Sequence, residues 1–208
     1  MSVNFGFMGL QSGNSPENAM QFMVKQIIRG GVSTAMIVLV KAVDTTARTV
    51  DIVPMVDQVT ATGQVIPHSV LHEIPYGYEQ GGNCLIKIDP APGDIGVAVF
   101  AHRDITRVKR TKQAAAPPTL RTHHLSDGLY VRTLWAASAP EHSITFNGNG
   151  ITVSSNLTVD INAKTKFRGD MEVDGAITAT GDVTGAGISL KNHTHSVTDA
   201  PGTTGVPK

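Results

Sequence analysis

The spacing of apolar residues changes character along this chain. Between residues 15 and 29 they fall at Met20, Met23, Val24, Ile27 and Ile28, the i, i+3, i+4, i+7, i+8 pattern of an amphipathic helix. Ser15 can cap that helix, Pro16 suits its first position, Glu17 complements its dipole, and Gly30-Gly31 ends it. Its apolar stripe can pack on its own domain or on a neighbouring subunit, and the sequence admits both. From residue 34 to 109 the period shortens to that of strands. Thr34 to Val43 is one strand-like run, turned by Asp44-Thr45-Thr46, and Val50, Ile52 and Val53 continue as a second. Ser69 to Ile74, Cys84 to Ile88 and Ile95 to Ala101 follow, separated by Gly- and Pro-rich turns. Five short strands over this length fit a small barrel of the OB type, with a sandwich of similar size as the alternative.

Residues 111–140 contain Ala114-Ala115-Ala116-Pro117-Pro118 and then Leu125 to Trp135, and read as a connector with one short strand or hairpin. From Ser143 the texture becomes alternating apolar and small polar residues. Ile144 and Phe146, Ile151 and Val153, Leu157 with Val159 and Ile161, Met171 and Val173, Ile177 and Ala179, then Val183 keep a period of two. Gly, Asn and Asp fill the corners, as a β-helix or β-prism needs. One copy offers a single apolar row and nothing to bury it against, and so small a domain does not fold without metals, disulfides or partners. Three chains wound about a common axis would bury each row against the other two and pair the open strand edges. The rival is a disordered Thr/Gly-rich tail, against which the sustained alternation argues.

Charge removes some function classes. Lys plus Arg number 17 and Asp plus Glu 17, so no bulk attraction to nucleic acid or anionic membrane is expected. The basic run His102 to Lys112 has only Tyr76 and Tyr78 as stacking candidates in the barrel, so it reads as a solvated face. Cys84 is the single cysteine, and within Cys84-Leu85-Ile86 it is expected to be a buried core residue. No secretory signal is visible, and the aliphatic run Ala35 to Val40 is too short to span a bilayer, so synthesis as a soluble chain in a cytoplasm is expected.

The most chemically informative motif is His193-Thr-His195. In an extended strand side chains two apart share a face, so both imidazoles would converge while Asn192 and Thr194 face away. Imidazole binds Fe, Zn, Ni or Cu, two ligands leave a site incomplete, and six from three chains would fill an octahedron. A chain using Asp199 as the carboxylate of a two-histidine iron site is the enzymatic alternative, but a thin repeat offers no foreseeable substrate pocket. No nucleophile elbow, P-loop or dinucleotide fingerprint is present.

Leu71-His-Glu-Ile-Pro75, Pro92-Gly-Asp94, Val99-Phe-Ala-His-Arg-Asp104 and the closing Gly187-Ile-Ser-Leu-Lys-Asn-His-Thr-His195 carry a resemblance. Through them the chain resembles the central baseplate spike proteins of contractile-tailed bacteriophages, over nearly its whole length. The resemblance implies a mainly β fold: an N-terminal helical segment (1–33), an OB-fold collar (34–110), a connector (111–140), an intertwined homotrimeric β-helix (141–190) and a metal-capped tip (191–208). It implies that His193 and His195 of three chains bind one iron ion, while donor chemistry alone admits Zn or Ni as readily. It implies a virion protein of the tail baseplate. The collar would dock on tail-tube or hub proteins, and the apex would contact the host outer membrane. No catalysis is implied, since the connector leaves no room for the lysozyme domain of some larger spike relatives. The alternatives are a trimeric receptor-binding tail fibre and, behind it, a nucleic-acid-binding OB protein. A fibre would end in a broader recognition head, whereas no aromatic follows Phe167.

Overall fold

Ser15 is extended (φ −153°, ψ 158°) and its hydroxyl accepts the Asn18 N–H at 3.2 Å, which starts helix α1 at Pro16. The computed structural model describes residues 14–60, 62–196 and 202–205. The expectations for residues 1–13, for Asp199 and for the parts of the tip at 197–201 and 206–208 lie outside the described residues. Helix α1 (Pro16–Gly31) runs two residues past the expected end, taking in both glycines before Val32 turns extended. Met20, Met23, Val24, Ile27 and Ile28 are 48–70% exposed, so among the described residues nothing covers its apolar stripe.

The strands that follow are β1 (Ala35–Asp44), β2 (Thr49–Pro54), β3 (Gln58–Val59), β4 (Val65–Ile66), β5 (Leu71–Pro75), β6 (Glu79–Gly81), β7 (Cys84–Ile86), β8 (Ile95–Phe100) and β9 (Gly128–Trp135). Five of them form one antiparallel sheet in the order β5-β2-β1-β8-β9. Its outer strands meet where Tyr76, just past β5, bridges Tyr130 of β9 in parallel, so the sheet curls back on itself. Alternation decides what is buried. Val38 and Val40 on β1, Val50 and Ile52 on β2, and Ala98 and Phe100 on β8 point inward with Ile74, Tyr76 and Tyr130. Gly96 continues the β8 row. A Cβ there would strike the Tyr130 hydroxyl and lie 2.5 Å from the Arg132 carbonyl oxygen. Backbone cannot step aside, so Gly96→Ala is expected to destabilise by about 2 kcal/mol, read as a lower Tm. An unchanged Tm would mean that β9 yields freely.

Two expectations change. The fifth strand of the sheet is β9, from within residues 111–140, and not the Cys84 run, whose strand β7 pairs only with β6 in an outlying hairpin. Cys84 is accordingly exposed, and so are Leu85 and Ile86. The hairpin turns through Gly82 at φ +56° and has no third strand to cover its apolar side chains.

The long excursion between β8 and β9 contains helix α2 (Thr106–Thr111) and is held by one guanidinium. Arg121 donates through Nε to Asp127 Oδ2 at 2.7 Å and through Nη2 to Asp127 Oδ1 at 2.8 Å and Asp104 Oδ1 at 2.9 Å. Thr119 Oγ1 donates to Asp104 Oδ2 at 2.7 Å, and the N–H groups of Ile105 and Thr106 donate to Asp127 and Asp104. Both aspartates are buried. Burial works against the Asp104 charge, yet hydrogen bonds from Thr106 and Thr119 and the Arg121 charge outweigh it and bring its pKa down to about 2. Asp127 is also lowered, with burial overcome by Arg121 and the Ile105 N–H.

The chain divides into two units between Ser154 and Ser155. The first ends in the hairpin β10 (His142–Asn147) and β11 (Gly150–Ser155), whose last residue begins the second unit. In the second unit β12 (Thr184–Gly185) and β13 (Ile188–Ser189) form a short hairpin, and residues 156–183 carry no strand. The expected β-helix is therefore not present within one chain. A strand persists only when paired, and a single copy gives this row no second edge. Leu157, Val159, Ile161, Phe167, Met171, Val173, Ile177 and Val183 are 40–75% exposed.

Candidate metal centre

The local geometry at His193 is built from the β12–β13 hairpin. Its turn places Ala186 at φ +51° and Gly187 at φ +87°, pairing Thr184 with Ser189 and Gly185 with Ile188. Asp182 Oδ1 accepts the Lys191 N–H at 3.0 Å, and the Leu190 N–H reaches the Val183 carbonyl at 2.8 Å. Hydrogen bonds from Ser189, then from the Lys191 N–H, hold the Asp182 carboxyl below its ordinary range. Ser189 continues the chain of contacts, its hydroxyl accepting the Asn192 N–H and its carbonyl the His193 N–H at 3.1 Å.

His193 then turns its ring back on the same carbonyls. Its Nδ1 lies 3.0 Å from the Ser189 oxygen and 3.1 Å from that of Leu190. Carbonyls only accept, so Nδ1 carries the proton and Nε2 is left with its lone pair. A backbone carbonyl fixing one ring nitrogen while the other is offered outward is how metal-ligating histidines are oriented. The His195 ring lies against it edge-on, with centroids 5.2 Å apart and planes at 83°. Residues 193–195 are not in a strand, so the rings meet through a turn and not through the expected strand alternation. The His195 N–H donates to Thr204 Oγ1 at 2.9 Å, its carbonyl accepts the Thr204 N–H at 2.9 Å, and Ser196 bridges Thr203. Residues 203 and 204 therefore pair with the backbone at His195 and Ser196.

Imidazole nitrogens are suitable donors for an ion of the iron, zinc or nickel type. One chain contributes two neighbouring imidazoles, and no group of three or more His, Cys, Asp or Glu gathers among the described residues. Two nitrogens leave most of an octahedron open, and three copies would close it.

Five of the other six histidines make contacts away from this pair. His72 Nδ1 lies 2.8 Å from Asp51 Oδ2, His68 faces the Val56 carbonyl, and His124 Nδ1 accepts the Ser126 N–H. His102 and His123 face each other on the barrel. Of the two tyrosines weighed as stacking platforms, Tyr76 is buried, and both donate to Asp89 Oδ1 at 2.7 and 2.8 Å. Burial and then that bond push the Tyr76 hydroxyl far above its ordinary range. The motif residue Asp94 has a structural part. It accepts from the Ala91 and Ala137 N–H groups and from Thr133, tying the Pro92-Gly93 turn to the end of β9.

The family of domains described as Phage protein Gp138 N-terminal domain matches residues 36–132, from the start of β1 into β9. That match supports a phage structural protein and leaves residues 133–208 uncovered. No curated protein matches the chain. No helix among the described residues is long and apolar enough to cross a membrane.

Proposed function

We propose that this chain is the membrane-piercing spike at the tip of a contractile phage tail. It would act as a homotrimer in the virion baseplate and would not be an enzyme. The first unit is the OB-type collar, a reading supported by the strand order β5-β2-β1-β8-β9 and the Tyr76–Tyr130 bridge, and it docks on the tail-tube hub. Residues 141–190 of three chains wind into a needle. His193 and His195 of each chain hold one iron ion, and the apex meets the host outer membrane. The observation that carries this reading is the exposed apolar row from Ile144 to Leu190, which leads into the paired imidazoles.

The action is mechanical, so the chemistry required is stiffness and a tip that does not fray. Chain ends are ordinarily the least ordered part of a fold. When bound, the ion supplies a cross-link between three chains and adds its binding free energy to their folding. The chain's own residues prepare that link. Ser189 and Leu190 hold the His193 ring in one tautomer, and Thr204 clasps the backbone of His195.

Native mass together with elemental analysis tests the proposal. The expected result is a mass of three 21.9 kDa chains with one iron per three chains. Metal that departs from a His193→Ala/His195→Ala variant would complete it. A metal-free monomer would overturn it, and one iron per chain would point to an open site of a different kind.

A further inference from the structure

The barrel carries a second pair of imidazoles, remote in sequence from His193 and His195. His102 follows β8, and His123 lies on the return of the excursion toward β9. His123 sits at φ +50°, a left-handed conformation that non-glycine residues rarely adopt, and its own N–H donates to the His102 carbonyl at 3.3 Å. Its Nδ1 lies 3.0 Å from the Ser33 carbonyl oxygen, which can only accept, so Nδ1 carries the proton and Nε2 the lone pair. His102 Nδ1 stands 3.0 Å from that lone pair.

The rings do not point head-on. Their centroids are 4.9 Å apart and their nitrogens 3.0 Å apart, a difference smaller than two centroid-to-nitrogen radii laid end to end. At least one ring is therefore turned off the line between the two nitrogens, which share an N–H···N hydrogen bond at 3.0 Å. With metal–nitrogen bonds of about 2.0–2.1 Å, two ligands at adjacent corners of a coordination sphere lie about 3.0–3.4 Å apart. The pair already has that separation. It also has the carbonyl partner on the far ring nitrogen that orients a ligating histidine.

We propose that His102 Nδ1 and His123 Nε2 form a chelating site for a borderline divalent ion of the zinc, nickel and copper type, with water completing its coordination. His102 is exposed, so its Nδ1 proton can move to the solvent-facing Nε2, and the ion takes the place of the shared proton with no net proton release. The bound ion ties together the two ends of the excursion between β8 and β9, next to the His123 contact with Ser33 at the junction of α1 and β1. This site does not depend on the trimer or on the C-terminal pair.

The test uses the full-length chain carrying His193→Ala and His195→Ala, so that those two residues do not compete, with zinc as the probe. Calorimetry is expected to give one zinc per chain, with a rise in Tm on zinc addition. Either His102→Asn or His123→Asn should abolish both effects. Asparagine tolerates the left-handed backbone at position 123, and His102 is exposed, so both variants should remain folded in chelator, which makes the zinc-induced change in Tm the readout. No zinc uptake by the parent would overturn the proposal, as would undiminished uptake by either variant.

Discussion

Arg121→Met is expected to destabilise the barrel by about 3 kcal/mol or more and to lower its Tm by roughly 10 °C. The size follows from what remains. Asp104 and Asp127 are buried, and Arg121 is the cation that meets both. Removing it leaves two carboxylates facing each other in a desolvated loop, a larger loss than the absent hydrogen bonds alone. Arg121→Lys should recover little, because a single ammonium cannot reproduce the fork that binds Asp127 through two nitrogens. Asp127→Asn added to Arg121→Met should recover part of the loss.

The pH dependence has a definite sign. Both carboxylates are held below their ordinary value of 3.8, Asp104 at about 2. A depressed folded-state pKa contributes stability that is complete above the unfolded value and fades as pH falls toward the folded one. The wild-type barrel should therefore weaken as pH drops below 3.8 toward about 2. In Arg121→Met the carboxylates protonate more readily, so the gap between the two proteins should be widest at neutral pH and narrow in acid. Denaturant titrations at pH 7 and pH 3 would measure this. Equal stability at pH 7 would show that the excursion is not held by this network.

Helix α1 was legible because its signals are local: Ser15, Pro16 and Glu17 act within one turn. The antiparallel sheet was legible where alternation places large apolar residues inward, as at Val38 and Val40. β9 shows where that signal inverts. Its inward residues are Gly128 and Tyr130, while Leu129 and Val131 face solvent at 39% and 53% exposure, so counting apolar residues misreads its faces. The run Cys84-Leu85-Ile86 misleads in the opposite sense, being apolar but held in a hairpin without a third strand. His193 and His195 stood out because imidazole is chemically distinctive. What fixes them does not, since backbone carbonyls at 189 and 190 and the return of Thr204 have no residue-type signature. Arg121 was hidden for a related reason: its partners lie 17 and six residues away on either side of a loop.

The largest effect in the second unit should come from changing its apolar row. Leu157, Ile161 and Ile177 are 75%, 63% and 71% exposed in the single chain. If the chain worked as a monomer, replacing all three by Asp would be a surface change, each worth within about 0.5 kcal/mol. If three chains pack these rows together, the same substitutions remove about 2–3 kcal/mol of apolar burial per residue. They also bring three carboxylates into each apolar layer, where an unpaired charge is far more costly. The two situations predict opposite outcomes for a single observable, the native mass. Leu157→Asp/Ile161→Asp/Ile177→Asp is expected to reduce it from three chains to one, while the Tm of the barrel, whose core lies wholly between Val38 and Tyr130, stays unchanged. A triple variant that retains three chains would place the subunit contacts elsewhere, with the exposed stripe of α1 the next face to test.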